Sequence, residues 1–134
     1  MATFGAAVTS ESFAADAVRS VERIIKAAES WAQELQFAHK PVLNIGAAVT
    51  TGSIVFGAVG DATRMEYTVI GDVVNLAAKL EKHTKVEAVR ALCTAAAWET
   101  ALQQGYRPAA EPEKRYRRTI EAVDTPQDIV VLAQ

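Results

Sequence analysis

The chain has 134 residues, half of them apolar, and a formal net charge of -2; this fits one domain with a real core and excludes a general nucleic-acid binder, which would carry a basic stripe. No apolar run is long enough to cross a bilayer, and the opening Met1-Ala2-Thr3-Phe4-Gly5 lacks the basic start and long apolar stretch of a secretory signal. With one cysteine, Cys93, no internal disulfide can form, so the chain reads as cytoplasmic.

Thr3-Phe4 is β-prone and Gly5 breaks the run, as if a strand were entered in mid-course. A helix is predicted over 12–36, where Phe13, Ala17, Val21, Ile24, Ala28 and Trp31 recur at spacings of three and four. Ser10 or Ser12 is its N-cap candidate, and Pro41 closes the linker after it. Val42 to Val49 and Ser53 to Val59 then flank Thr50-Thr51-Gly52, which predicts a β-hairpin. Gly60-Asp61-Ala62-Thr63 is a second turn, and Met65 to Ile70 reads as a strand. Gly71 breaks the chain, and Asp72 can cap a helix running to about His83. Val73, Leu76, Ala77 and Leu80 give that helix a buried face; Asn75 and Lys79, four apart, share the other. A strand near 88–93 would bury Cys93 as a core residue. A helix near 94–104, a loop from Ala109 to Lys114 and β segments near 115–122 and 127–133 follow. Within them Lys114-Arg115-Tyr116-Arg117-Arg118 reads as a solvated edge strand, with an anion site as the other reading. Alternating strands and helices predict an α/β or α+β sandwich.

Several signatures of chemistry are missing. His39 and His83 have no metal-ligand partners at the spacings zinc uses, and read as surface histidines. There is no glycine loop ending in Gly-Lys-Ser/Thr. Gly52, Gly57 and Gly60 fit a bulged hairpin better than a phosphate cradle. What stands out is the strand–turn–helix from Arg64 to Glu81. Thr68 offers a hydroxyl on the strand, and Asn75 and Lys79 project together one turn into the helix. An amide beside a cation suits a ribose and a phosphate; a polar helix face with no task fits the same pattern.

Residues Arg64 to Glu81 resemble the signature of class III adenylyl and guanylyl cyclases, nearly letter for letter with the bacterial adenylyl type. The stretch Asn44 to Gly52 resembles the strand pair before that signature, and Met1 to Gly5 the end of the hairpin after the family's Gly-Asp-Gly turn. The resemblance implies the ferredoxin-like α+β cyclase fold, with residues 1–134 as its C-terminal two-thirds, incomplete at the N-terminus. It implies conversion of ATP (or GTP) to a 3′,5′-cyclic nucleotide and pyrophosphate for intracellular signalling, in a homodimer with sites across the interface. The family binds two Mg²⁺ or Mn²⁺ ions through aspartates that would precede this chain, as would an adenine-selecting lysine; Asp16, Asp61 and Asp72 do not fall on those positions. Such a fragment is expected to be inactive by itself.

By the same resemblance Thr68 and Ile70 fall on substrate-binding positions, Thr68 on the base-reading residue that accompanies adenine selection. Asn75 falls on the ribose-positioning asparagine. Lys79 stands where the family has an arginine that stabilises the transferring phosphoryl group, keeping the charge without the planar fork. A phosphate-contacting lysine before a glycine in the C-terminal hairpin corresponds to Glu121-Ala122, where Arg117 or Arg118 would have to compensate. The alternative is a degenerate cyclase-homology domain that serves as a dimerisation or regulatory module.

Overall fold

The computed structural model describes residues 1–61 and 63–134. The elements run α1 (Phe13–Phe37), β1 (Ala47–Val49), β2 (Val55–Gly60), β3 (Met65–Ile70), α2 (Asp72–His83), β4 (Ala91–Thr94), α3 (Ala95–Gln103), β5 (Lys114–Arg118) and β6 (Gln127–Ala133). Four strands form one sheet in the order β1-β4-β6-β5; β1 lies parallel to β4, and the other neighbours are antiparallel. Strands β2 and β3 pair with each other as a separate antiparallel hairpin.

Side-chain alternation assigns the layers. In β4 every residue is buried, as suits a central strand covered on both faces. Ala91 and Cys93 join Val49, Val130 and Trp98 under α1 and α3. Leu92 faces the other way, into a cluster with Leu80 of α2, Ile120, Ile129 and Val131. The result is the expected α+β sandwich, with α1 and α3 on one face of the sheet and α2 on the other. Cys93 is fully buried, and burial pushes its thiol pKa up, so it is a packing residue.

α1 begins and ends one residue from its predicted bounds, but its buried face is rotated. Ala14, Ala15, Val18, Val21, Ile25 and Ala28 are buried, while Ile24 and Trp31 are 51% and 45% exposed. Small side chains at 14 and 15 share a cluster with Ala97 and Ala101 of α3, and close helix approach favours them over the bulkier stripe. Ser12 sits at the N-cap position without capping; its hydroxyl donates to Asp16 at 2.5 Å. The free amides of Ala14 and Ala15 donate instead to Oε1 of Gln104, at 2.8 and 3.1 Å. A residue 90 positions away thus supplies the acceptor a cap would give.

Three expectations fail. No strand forms before α1. The hairpin across Thr50–Gly52 does not form, because β1 pairs in parallel with β4 and leaves β2 to pair with β3. Thr50 instead ties that bend to α2, its hydroxyl donating to the carbonyl of Val73 at 2.9 Å. Finally, β5 stops at Arg118 rather than reaching 122, after a bulge at which Arg117 adopts φ 50°.

Candidate active site

Gly71 sets the junction between β3 and α2. A Cβ there would lie 2.9 Å from the carbonyl oxygen of Ser53, closer than real side chains come, so the backbones can meet only at a glycine. Asp72 follows as the first residue of α2, an acidic group where the helix dipole favours one. Gly71, not Asp72, occupies the N-cap position, and no side chain caps this end. Leu80, wholly buried against Leu92 and Ile120, fixes the helix on the sheet. Asn75 and Lys79 then stack one turn apart on its open flank, as their spacing predicts; Asn75 is exposed and Lys79 half-buried.

Thr68 and Ile70 lie on the same face of the hairpin, two residues apart on β3. Thr68 is half-buried and pairs with Gly57, where an added Cβ would meet nothing within 4 Å. The ground before its hydroxyl is therefore open. Ile70 pairs with Val55, and these two are 56% and 70% exposed. On the other face Phe56 stacks on Tyr67, with ring centroids 6.0 Å apart. Asp61 closes the hairpin tip. Its Oδ1 accepts from the amide and hydroxyl of Thr63 and the amide of Arg64, which hold its pKa below the usual range.

The ammonium group of Lys79 donates a hydrogen bond to the carbonyl of Ala122, in the loop joining β5 to β6. Ala122 has φ 54°, a conformation that favours glycine, at the position the sequence resemblance aligns with a glycine. Lys79 and the Glu121-Ala122 pair are thus brought together.

Sequence reasoning missed the cluster beside them. His83 is buried, not a surface residue, and its Nε2 lies 2.8 Å from Oε1 of Glu87. The same oxygen accepts from Nε of Arg118 at 2.7 Å, and Oε2 accepts from Nη1 of Arg115 at 2.8 Å. Burial alone would raise the Glu87 pKa, but the hydrogen bonds from Arg118, Arg115 and His83 outweigh it and lower the value to about 2. β5 is the edge strand expected, yet two arginines of its basic run are committed to this carboxylate. Arg118 is turned toward Glu87 rather than left to compensate for Glu121. The available signal was spacing: Asn75, Lys79, His83 and Glu87 follow one another at intervals of four.

No group of three or more His, Cys, Asp or Glu side chains placed to hold a metal ion occurs among the described residues. Asp16 and Asp61 are already engaged by Ser12 and Arg19, and by Thr63 and Arg64. The donor set does not fit a two-ion centre. No helix of the described residues is long and apolar enough to cross a membrane.

Comparison with known proteins fits this arrangement. Residues 1–115 match the family model described as the adenylate and guanylate cyclase catalytic domain. An adenylate cyclase of Anabaena cylindrica is 42% identical over 45 residues, which is 34% of this chain and 9% of that protein. The guanylyl cyclase Cya2 superposes with a TM-score of 0.74 at 22% identity, over 96% of this chain and 61% of that one. The adenylyl cyclase CyaB of P. aeruginosa does so with a TM-score of 0.64 at 22% identity, over 89% and 59%. The chain therefore spans less than two thirds of each of these relatives, and the structural likenesses establish the fold. With the family model covering residues 1–115, well over half of its length, this chain belongs to the adenylate and guanylate cyclase catalytic domain family.

Proposed function

We propose that the chain forms the base- and ribose-binding half of a site that converts ATP to 3′,5′-cyclic AMP and pyrophosphate. The observation that carries this is the junction at Gly71, which sets Thr68 and Ile70 on the strand before Asn75 and Lys79 on one helix flank. Thr68 would offer its hydroxyl to the adenine edge, and Ile70 would pack against the ring. Asn75 would hold the ribose, its amide able both to donate and to accept. Lys79 would meet charge growing on the transferring phosphoryl group as the 3′-oxygen attacks the α-phosphorus. Mg²⁺ or Mn²⁺ would polarise the triphosphate when bound, and the described residues offer no donor set that fits such an ion.

The site would be shared in a cytoplasmic homodimer. Strands β2 and β3 expose Val55, Val59, Met65, Tyr67 and Ile70, each at least 53%. A lone two-stranded hairpin with bare apolar faces is marginal in water, and such patches mark interaction sites. A second copy covering the hairpin would also face Thr68 and Ile70.

The test is cyclic nucleotide formation by the full-length protein, with ATP and GTP each supplied with Mg²⁺ or Mn²⁺. Lys79→Ala should lower kcat on the order of 10²-fold with little change in KM. A robust rate untouched by this change would remove Lys79 from the mechanism. A dimeric full-length protein that makes no cyclic nucleotide would instead be a dimerisation or regulatory module.

A further inference from the structure

We infer that Glu87 is a positioning residue for this site: its buried carboxylate fixes the spacing between α2 and the β5–β6 loop across which Lys79 meets Ala122. The inference deepens the cyclase reading and rests on it for its kinetic arm alone.

A carboxylate taken out of water is strongly destabilising unless both oxygens are satisfied. The Glu87 side chain is 1% exposed, and both its oxygens are used. Its donors come from two elements. His83 is the last residue of α2 and lies one turn beyond Lys79 on the same flank. Arg115 and Arg118 belong to β5, and Arg115 also donates to the Glu87 carbonyl at 2.7 Å. One side chain therefore ties the end of α2 to the strand that leads into residues 119–126.

The backbone of β5 is shaped for this. Residues three apart on a regular strand point to opposite faces, so Arg115 and Arg118 should not reach one carboxylate. They do because Arg115 pairs with Ile129 and Arg118 with Gln127, which sets one extra residue on β5. Such a bulge returns the next side chain to the original face. Arg117 takes the left-handed conformation the bulge needs, and its amide donates to Asp128 at 2.7 Å. From Arg118 the chain enters the loop through Ile120, buried on Leu80, and a turn in which the Val123 amide donates to Ile120 at 3.1 Å. Ala122 stands inside that turn. The approach of Lys79 to it is set by the clamp on one side and Ile120 on the other.

The experiment uses the full-length protein and the variants Glu87→Gln, Arg118→Gln, Lys79→Met and the double variant Arg118→Gln/Lys79→Met. Arg118 is 44% exposed, so its loss should leave the fold intact even if Glu87→Gln does not fold. Amide hydrogen exchange at Val123 should rise roughly tenfold in Arg118→Gln, with α1 and α3 unchanged. Lys79→Met should speed that exchange in the wild-type background and add little in the Arg118→Gln background, because the two act on one contact. With ATP, Arg118→Gln should lower kcat about tenfold at nearly constant KM. Lys79→Met should then cost less in the double variant than alone. Unchanged exchange at Val123, or additive effects of the two substitutions, would overturn the inference, as would a raised KM at constant kcat. A wild type that forms no cyclic nucleotide refutes the cyclase reading, and the exchange arm still decides the role of Glu87.

Discussion

Replacing Glu87 by Gln should cost stability at neutral pH and cost progressively less in acid. The ordinary carboxyl value of 4.5 falls to about 2 in the fold, and each pH unit of difference corresponds to about 1.4 kcal/mol. The ionised clamp therefore contributes about 3 kcal/mol. The folded pKa is the depressed one. The contribution is thus complete above pH 4.5 and is lost as pH falls through 2. The Gln variant keeps the shape and lacks the titration. Urea unfolding of both proteins at pH 7, 5, 3 and 2 should give a gap of about 3 kcal/mol at the two higher values, narrowing by about 1.4 kcal/mol per unit below 4.5. Asp61 also titrates low, but both proteins carry it alike and it cancels; Glu113 is held low chiefly by Arg115, which both proteins keep. A gap that is the same at pH 3 as at pH 7 would refute the reasoning, since Glu87 would then act by packing and not by charge.

Leu80→Ala should destabilise by roughly 2–5 kcal/mol, since the side chain is wholly buried between α2 and the sheet; the urea midpoint should fall at unchanged slope. Gly71→Ala should cost roughly 1–3 kcal/mol by forcing the Ser53 carbonyl away; melting no lower than wild type would show that the junction yields freely. Gln104→Ala should remove about 1 kcal/mol and speed exchange at the amides of Ala14 and Ala15; equal protection would mean that water replaces the acceptor without loss.

The parts of this site legible in the sequence are those that local chain chemistry decides. Gly71 separates a β-prone run from a helical stripe, so β3 and α2 fall at their predicted positions. The four-residue interval places Asn75 and Lys79 together without tertiary information. The hairpin misassignment has the opposite cause. Thr50-Thr51-Gly52 carries a good turn signal, but β1 finds its partner in β4, more than 40 residues on, and no local pattern encodes that choice. The buried face of α1 failed for a related reason. Two adjacent stripes were available, and the alanines of α3 selected the one with small side chains.

The polar misses share a deeper cause. A charged residue reads the same in sequence whether water or a counter-charge satisfies it. Arg115 and Arg118 therefore looked like any solvated edge, and His83 like any surface histidine. What distinguishes them is the burial of Glu87, and burial is set by Val89, Leu92 and Ile120 closing α2 onto the sheet. Once the apolar cluster takes that carboxylate out of water, leaving it unpaired would cost several kcal/mol, and cations must come to it. The bulge at Arg117 is the backbone's answer, and it places the β5–β6 loop within reach of Lys79. The Lys79 ammonium meets the Ala122 carbonyl of that loop, so the pairing that the buried Glu87 carboxylate imposes on Arg118 also shapes what stands beside the open flank of α2.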